Sequence, residues 1–134
     1  MLRRSKAGYR DEGLFLLRLG LGVMFLLHGW PLLAGGPARW AGLGAAMAAL
    51  GIRELPTLWG LAAALIEFCG GLCLILGAFF RPAVLLLAIT MAVAAHHHLA
   101  RGDGLAGASH ALELGIVFLG LSLIGPGRYA LRRG

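Results

Sequence analysis

Charged residues are scarce in this sequence. They make up 13% of its 134 residues, whereas hydrophobic residues make up 59%, and the mean hydropathy is +0.82. A water-soluble domain of this size has no interior large enough to bury so much apolar surface. A bilayer can accommodate that surface, because lipid takes the place of the missing core. The composition therefore excludes an ordinary soluble domain and predicts a single integral membrane domain.

Acidic residues are also few, six against twelve Lys and Arg, so the formal net charge is +6. Many basic proteins bind nucleic acid, but here the basic residues flank the apolar segments near the two chain ends. Short basic flanks of this kind are typical of topology signals that face anionic headgroups. We therefore expect the lipid bilayer, and no nucleic acid, as a partner. The flanking residues are Arg3, Arg4, Lys6, Arg10, Arg128, Arg132 and Arg133.

Cysteine is almost absent, with Cys69 and Cys73 as the only two. Both lie in one apolar run, one helical turn apart, where the side chains share a face but have a poor geometry for a disulfide. This favours small packing residues. A redox pair stays open as the alternative, and the two cysteines do not settle the redox compartment.

Long apolar runs are what the sequence has in abundance. Four of them, at about 13–34, 57–80, 83–100 and 108–125, have the length that a helix needs to cross the hydrocarbon core. Short connections, including a tight turn at Arg81 and Pro82, make neighbouring helices antiparallel. The predicted fold is all-α, an integral membrane four-helix bundle in up-down-up-down order. A short interfacial helix that carries Trp40 is expected between the first two spans.

The distribution of Lys and Arg predicts the orientation. The two termini and the Arg81 turn would share one side of the membrane and carry eight basic residues, whereas the other two loops carry Arg39, Arg53 and Arg101. The positive-inside rule then predicts that both termini are cytoplasmic.

Ionisable residues inside the spans are the informative feature. Such groups cost several kcal/mol in hydrocarbon unless they are paired or face water, so they normally point into a bundle. At a rise of about 1.5 Å per residue, Glu67 is near mid-membrane and most of the others converge on the outer half. Arg18 stands apart near the cytoplasmic end and is expected to snorkel to the headgroups or to approach Glu67 through a water. The residues are Arg18, His28, Glu67, His96, His97, His98, His110 and Glu113.

Helical spacing suggests which of these side chains point inward. His110 and Glu113 are three residues apart on one face, with Ser109 four residues before Glu113. In the third span, the least bulky stripe ends at His97, which favours His97 as the inward histidine. Because consecutive residues are 100° apart, His96 cannot share that direction, and neither can His98.

Three interpretations of this His/Glu cluster stay open. It could bind a transition metal, with His97, His110 and Glu113 as ligands. It could relay protons to a quinone headgroup, because His and Glu titrate in a useful range. It could also be a structural network of polar groups that neutralise one another. Catalytic residues are not identifiable, and no flavin or nucleotide motif is visible.

Three segments carry motifs in a recognisable order: LLRLGLGVMFLLHGW at 16–30, ALIEFCGGLCLILGAFFRPAVLLLAITMAV at 64–93 and SHALELGIVFLGLSLIGPGRYAL at 109–131. Together they resemble the DoxX family of small bacterial four-helix membrane proteins. The first segment resembles the first span of the family, the second its second and third spans, and the last its fourth span and the ending that follows. Each motif is loose alone, but their order and spacing are fairly specific and cover most of the chain.

The resemblance implies a protein of the bacterial cytoplasmic membrane that is linked to redox metabolism. It implies a subunit of a quinone- or thiol/sulfur-linked oxidoreductase complex, with an oxidoreductase partner, rather than a stand-alone enzyme. Carried over by position, the implied site residues are His28, Glu67 and Glu113. A metal-handling or small-solute transport protein is the alternative, and a membrane scaffold without chemistry is a third. A homo-oligomer is compatible with each.

Overall fold

A computed structural model describes residues 6–131, which contain five α-helices, one 3₁₀ helix and no strand. Arg3, Arg4, Arg132 and Arg133, which contribute to the predicted orientation, lie outside the described residues. The helices are α1 (Lys6–Ala34), α2 (Gly36–Gly44), a 3₁₀ helix (Ala45–Leu50), α3 (Pro56–Leu76), α4 (Phe80–Ala100) and α5 (Gly104–Ile124).

Four of the helices are long and apolar enough to cross a membrane. They are α1 from Gly8 onward and the whole of α3, α4 and α5, with mean hydropathies between 1.6 and 2.0. A helix of 21 residues is about 32 Å long, close to the thickness of the hydrocarbon core. The all-α fold with four membrane helices is therefore confirmed.

The connection between α3 and α4 differs from the predicted turn at Arg81 and Pro82. The helix α3 ends at Leu76, and Gly77 follows in the left-handed region with a φ of 68°. Glycine is favoured there because it lacks a Cβ. Arg81 and Pro82 lie in the first turn of α4. Proline is tolerated at that position, because the N–H that it lacks would have no partner within the helix.

The segment between the first two spans is helical, as expected, and it packs closely on α3. A Cβ on Gly60 would lie 1.6 Å from the Trp40 carbonyl oxygen, and a Cβ on Gly44 would lie 1.7 Å from the Pro56 carbonyl oxygen. The two backbones are thus in direct contact at paired glycines. The Trp40 indole N–H donates to the Leu32 carbonyl oxygen at 3.0 Å, which ties α2 back to the end of α1.

The four long helices form a chain of neighbours: α1 packs on α3, α3 on α4, and α4 on α5. The contact between α1 and α3 is close, because Gly22 and Gly29 lie against the α3 backbone near Gly71 and Phe68. Among the described residues, no Cα atom of α1 comes within 8 Å of one in α5. These two helices instead meet through side chains, with the Phe25 and Phe118 rings in edge contact at 5.2 Å.

Arg18 links α1 to the segment that follows α5 through hydrogen bonds. Its side chain is 1% exposed and donates hydrogen bonds to four backbone carbonyl oxygens, those of Leu74, Ile75, Pro126 and Tyr129. The expectation that Arg18 would snorkel or approach Glu67 is therefore wrong. The reason is that the segment after α5 folds back over α1 and presents its carbonyl groups.

Candidate functional site

A cavity of about 550 Å³ lies where α1 and α5 are separated, at the end of the bundle near the two longer loops. The helices α1 and α5 form its sides, and residues of α3 and α4 form its floor. We call it the α1/α5 cavity. Its wall is mostly apolar, with residues such as Leu21, Met24 and Leu114. Its ionisable lining residues are His28, Arg39, Glu67, His98 and His110.

Glu67 occupies the floor of the cavity. It lies eleven residues after the start of α3, which corresponds to about 16 Å along the helix and places it near the middle of the span. Its half-buried side chain makes no hydrogen bond or ion pair with another described residue. A carboxyl group without a partner at that depth is costly unless it meets water, a proton or a ligand.

A smaller cavity of about 200 Å³ reaches Glu67 from another side. It lies between the 3₁₀ helix and the helices α3 and α4, and it is lined by apolar residues such as Met47, Trp59 and Val93. Thr90 also lines it, but its hydroxyl donates to the Leu86 carbonyl oxygen. Glu67 is therefore the ionisable group that the two cavities share among the described residues.

His98 connects the α1/α5 cavity to the loop between α4 and α5. Its Nδ1 lies 2.8 Å from Oδ2 of Asp103, and Arg101 approaches the same oxygen at 3.7 Å. Because a carboxylate only accepts hydrogen bonds, Nδ1 is the donor in this contact. The hydrogen bond from His98 lowers the pKa of Asp103 below its ordinary value, and the charge of Arg101 adds to the effect.

His28 and His110 flank the cavity from α1 and α5. Both side chains are exposed on the surface of the chain while they line the cavity, and the His28 ring lies 6.4 Å from the Phe25 ring. Neither has a hydrogen bond to a described residue. The structure thus brings three predicted site residues, His28, Glu67 and His110, to one cavity.

His97, the predicted inward histidine, is not among the residues that line this cavity, and His98 takes that position. The buried face of α4 runs through Leu87, Met91 and Ala95, so it leads to His98 one turn later. The prediction of His97 assumed that small residues mark the inward face of α4. The buried face of this helix instead carries bulkier side chains. The His97 ring stays close, 6.0 Å from the His98 ring.

Glu113, Ser109 and His96 also lie away from the cavity. The buried face of α5 passes through Ala111 and Phe118, which leaves Glu113 exposed on the outside of the bundle. The Ser109 hydroxyl donates to the Ala106 carbonyl oxygen, and His96 Nε2 is 3.1 Å from the Ala49 carbonyl oxygen. His110 therefore lines the cavity, whereas Glu113, three residues later on the same helix, lies outside it.

The ligand set considered for a metal is not assembled. Within residues 6–131, no group of three or more His, Cys, Asp or Glu side chains is close enough to hold a metal ion. His97, His110 and Glu113 lie on different surfaces. Cys69 and Cys73 are both free thiols on α3.

Two further polar residues of the site, Arg39 and Asp103, escaped the sequence analysis. Arg39 was counted only as a loop charge, and it reaches the cavity because α2 packs on α3. Asp103 follows His98 by five residues across the end of α4. A carboxylate just after a helix that ends in histidines is the signal that could have identified this pair.

The family model of DoxX matches residues 13–101, about two thirds of the chain. The chain belongs to the DoxX family. No curated protein and no solved structure matches the chain at a significant level. The DoxX match includes four of the five ionisable lining residues of the cavity, His28, Arg39, Glu67 and His98, and ends before α5, which contributes His110.

Proposed function

We propose that this DoxX protein is the membrane component of a redox system and that its α1/α5 cavity receives the headgroup of a quinone from the bilayer. The observation that carries the proposal is the grouping of Glu67, His28, His98 and His110 around one cavity between α1 and α5, whose backbones stay more than 8 Å apart in the described residues. A lipid-soluble ligand needs such a lateral opening, and its headgroup needs polar partners at the inner end.

The lining fits the two parts of such a ligand. The apolar lining residues, such as Met24, Leu27 and Leu114, suit an isoprenoid tail. The carbonyl oxygens of a quinone accept hydrogen bonds, which a protonated Glu67 or an imidazole N–H can donate. These partners lie at different heights along the cavity, as the two opposite carbonyl groups of a quinone ring require.

Reduction of a quinone to a quinol takes up two electrons and two protons. Glu67 and the cavity histidines can supply and replace the protons, because carboxyl and imidazole groups serve as general acids and bases. The electrons require a partner that oxidises a thiol or a reduced sulfur compound and releases two electrons and two protons. This chain would thus be an oxidoreductase-associated subunit, with the cavity in the outer half of a bacterial cytoplasmic membrane and both termini in the cytoplasm.

Quinone binding tests this proposal directly. Purified protein in detergent is titrated with a short-chain benzoquinone, and quenching of tryptophan fluorescence reports binding, since Trp30 lies two residues from His28. We expect Glu67→Leu, which removes the donor, to weaken binding by about tenfold, the value of one hydrogen bond. Glu113→Leu, the matched change outside the cavity, should leave the affinity unchanged.

The histidines provide a second matched pair. His110→Leu should weaken binding, because it removes an imidazole donor from the cavity lining, whereas His97→Leu, at a position off the cavity, should not. Equal affinities in the wild type and all four variants would overturn the quinone site. A loss of thermal stability in Glu67→Leu with unchanged quinone affinity would instead support a structural role for the carboxyl group.

A further inference from the structure

The end of the bundle opposite to the α1/α5 cavity holds a second polar site. Its cavity of about 480 Å³ lies between the first turns of α1, the start of α4 and the segment that follows α5. We call it the arginine pocket. Its charged residues are Arg10, Asp11, Arg81 and Arg128, and its remaining lining is Ile124, Gly125, Pro126 and Gly127.

Two of the three guanidinium groups are held in place by the backbone at the end of α5. Arg81 Nε donates to the Ser122 carbonyl oxygen at 3.1 Å, and Arg10 donates through one terminal nitrogen to the Ile124 carbonyl oxygen at 3.1 Å. An arginine has five N–H donors, so each group keeps several of them free. These bonds fix the positions of the two guanidinium groups and leave donors available to a ligand.

The third guanidinium group is held differently. Arg128 stacks over the Tyr129 ring at 5.4 Å, and the backbone N–H of Arg128 donates to Asp11 at 3.2 Å. Gly125 and Gly127 adopt positive φ values of 91° and 80°, which turn the chain so that Arg128 reaches the pocket. Three separate segments thus bring an arginine to one place.

The described residues do not balance the charge of this pocket. In the part of the chain that the structure describes, no carboxylate forms an ion pair with Arg10, Arg81 or Arg128. The nearby carboxylate, Asp11, already accepts the Arg128 N–H. A pocket with three cations and one anion calls for an anionic ligand, and planar guanidinium groups suit the oxygens of a phosphate group.

We propose that the arginine pocket binds the phosphate group of an anionic phospholipid. The depth of the pocket favours a lipid over free phosphate as the source. Arg10 lies two residues after the start of the first membrane span, and Arg81 is the second residue of α4. Both therefore stand at the level where a bilayer has its headgroups. This site is separate from the proposed quinone site and does not depend on it.

Native mass spectrometry of the full chain in detergent tests the proposal. Delipidated protein is titrated separately with phosphatidylglycerol and with phosphatidylcholine, and in a third arm with inorganic phosphate as a competitor. We expect the wild type to prefer phosphatidylglycerol, and the double variant Arg10→Gln/Arg81→Gln to lose on the order of tenfold in affinity for it. The matched control, Arg53→Gln/Arg101→Gln, removes the same charge at the other end and should keep the preference.

A second variant separates a loss of lipid binding from a loss of folding. The Arg128 guanidinium makes no hydrogen bond to the backbone of residues 6–131, so Arg128→Gln should leave the melting temperature close to that of Arg53→Gln while it weakens phosphatidylglycerol binding. Equal binding of the two lipids by the wild type would overturn the proposal, as would an equal loss in the control double variant. Binding of inorganic phosphate without a preference between the lipids would assign the pocket to a free anion instead of a lipid.

Discussion

The guanidinium group of Arg18 donates a 2.8 Å hydrogen bond to the carbonyl oxygen of Tyr129, 111 residues later in the chain. Three more bonds join the same group to Leu74, Ile75 and Pro126. No carboxylate of a described residue pairs with this buried cation. The carbonyl groups at the end of α3 carry the partial negative charge of a helix C-terminus and stabilise the charge instead.

Replacement of Arg18 should therefore destabilise the bundle strongly. Arg18→Gln is expected to lower the free energy of unfolding by about 3 kcal/mol, because an amide cannot reach four buried carbonyl oxygens that then lose their donors. Thermal unfolding in detergent, followed by tryptophan fluorescence, measures the effect. Arg53→Gln, at an exposed position in the connection before α3, should change the melting temperature little.

The same change should release the segment that follows α5. Limited proteolysis of Arg18→Gln is expected to cleave beyond Gly125 faster than in the wild type. If the segment stays protected and the melting temperature is unchanged, Arg18 is not what holds it. Arg18→Lys should give an intermediate result, since an ammonium group keeps the charge but has fewer donors.

The four membrane helices could be predicted from the sequence because their signal is local. Each is a continuous apolar run of sufficient length, and no distant contact is needed to recognise it. The role of Arg18 could not be predicted in the same way. Its partners are backbone carbonyl groups, which every residue has, and only the folded chain shows which of them lie near the guanidinium group.

The residues of the site could be predicted only in part, again because some of the necessary information lies in the folded chain. Depth in the membrane follows from residue counting, so Glu67, His28 and His110 were assigned to one region. The inward face of each helix depends on which neighbours it packs against, and small residues mark a close contact only where the partner helix is also close. On α3 that condition holds at Gly60 and Gly71, whereas on α4 the contact is made by Leu87 and Met91.

A matched pair of glycines on α1 tests the close contact with α3. A Cβ on Gly29 would lie 2.6 Å from the Phe68 backbone nitrogen, whereas a Cβ on Gly20 would meet nothing within 4 Å. Gly29→Ala should cost about 2 kcal/mol, because the two backbones must separate. Gly20→Ala should be neutral or stabilise the protein by up to about 1 kcal/mol through helix propensity.

Unfolding in mixed micelles with increasing denaturing detergent measures both glycine variants. A Gly29→Ala variant as stable as Gly20→Ala would show that α1 and α3 are farther apart than the structure has them. Gly29→Ser is a useful further variant, because its Cβ meets the same Phe68 backbone atoms and should be equally costly.

The predicted orientation can be measured with single cysteines. In a background where Cys69 and Cys73 are both changed to Ala, Arg101→Cys and Arg128→Cys place a thiol at opposite ends of the bundle, and both positions are exposed. With both termini in the cytoplasm, a membrane-impermeant maleimide added to intact cells should label Arg101→Cys alone. Arg128→Cys should react only after lysis. The reverse pattern would place the α1/α5 cavity on the cytoplasmic side.

The contact between His98 and Asp103 predicts a pH dependence of stability. The pKa of Asp103 in the folded protein is below its ordinary value of 3.8, because the carboxylate accepts a hydrogen bond from His98. A lowered pKa means that the ionised group stabilises the fold above pH 3.8, and that this stabilisation is lost as the pH falls through the lower, folded-state value.

Asp103→Asn should therefore melt at a lower temperature than the wild type at pH 7, and the difference should shrink as the pH falls below about 4. Asp11→Asn makes the same change at the other end of the bundle, and its melting temperature is compared with that of Asp103→Asn at each pH. A difference between the wild type and Asp103→Asn that stays constant down to pH 3 would mean that the carboxylate charge does not hold the His98 ring. In that case the position of the His98 ring beside the α1/α5 cavity would not depend on the ionised carboxylate.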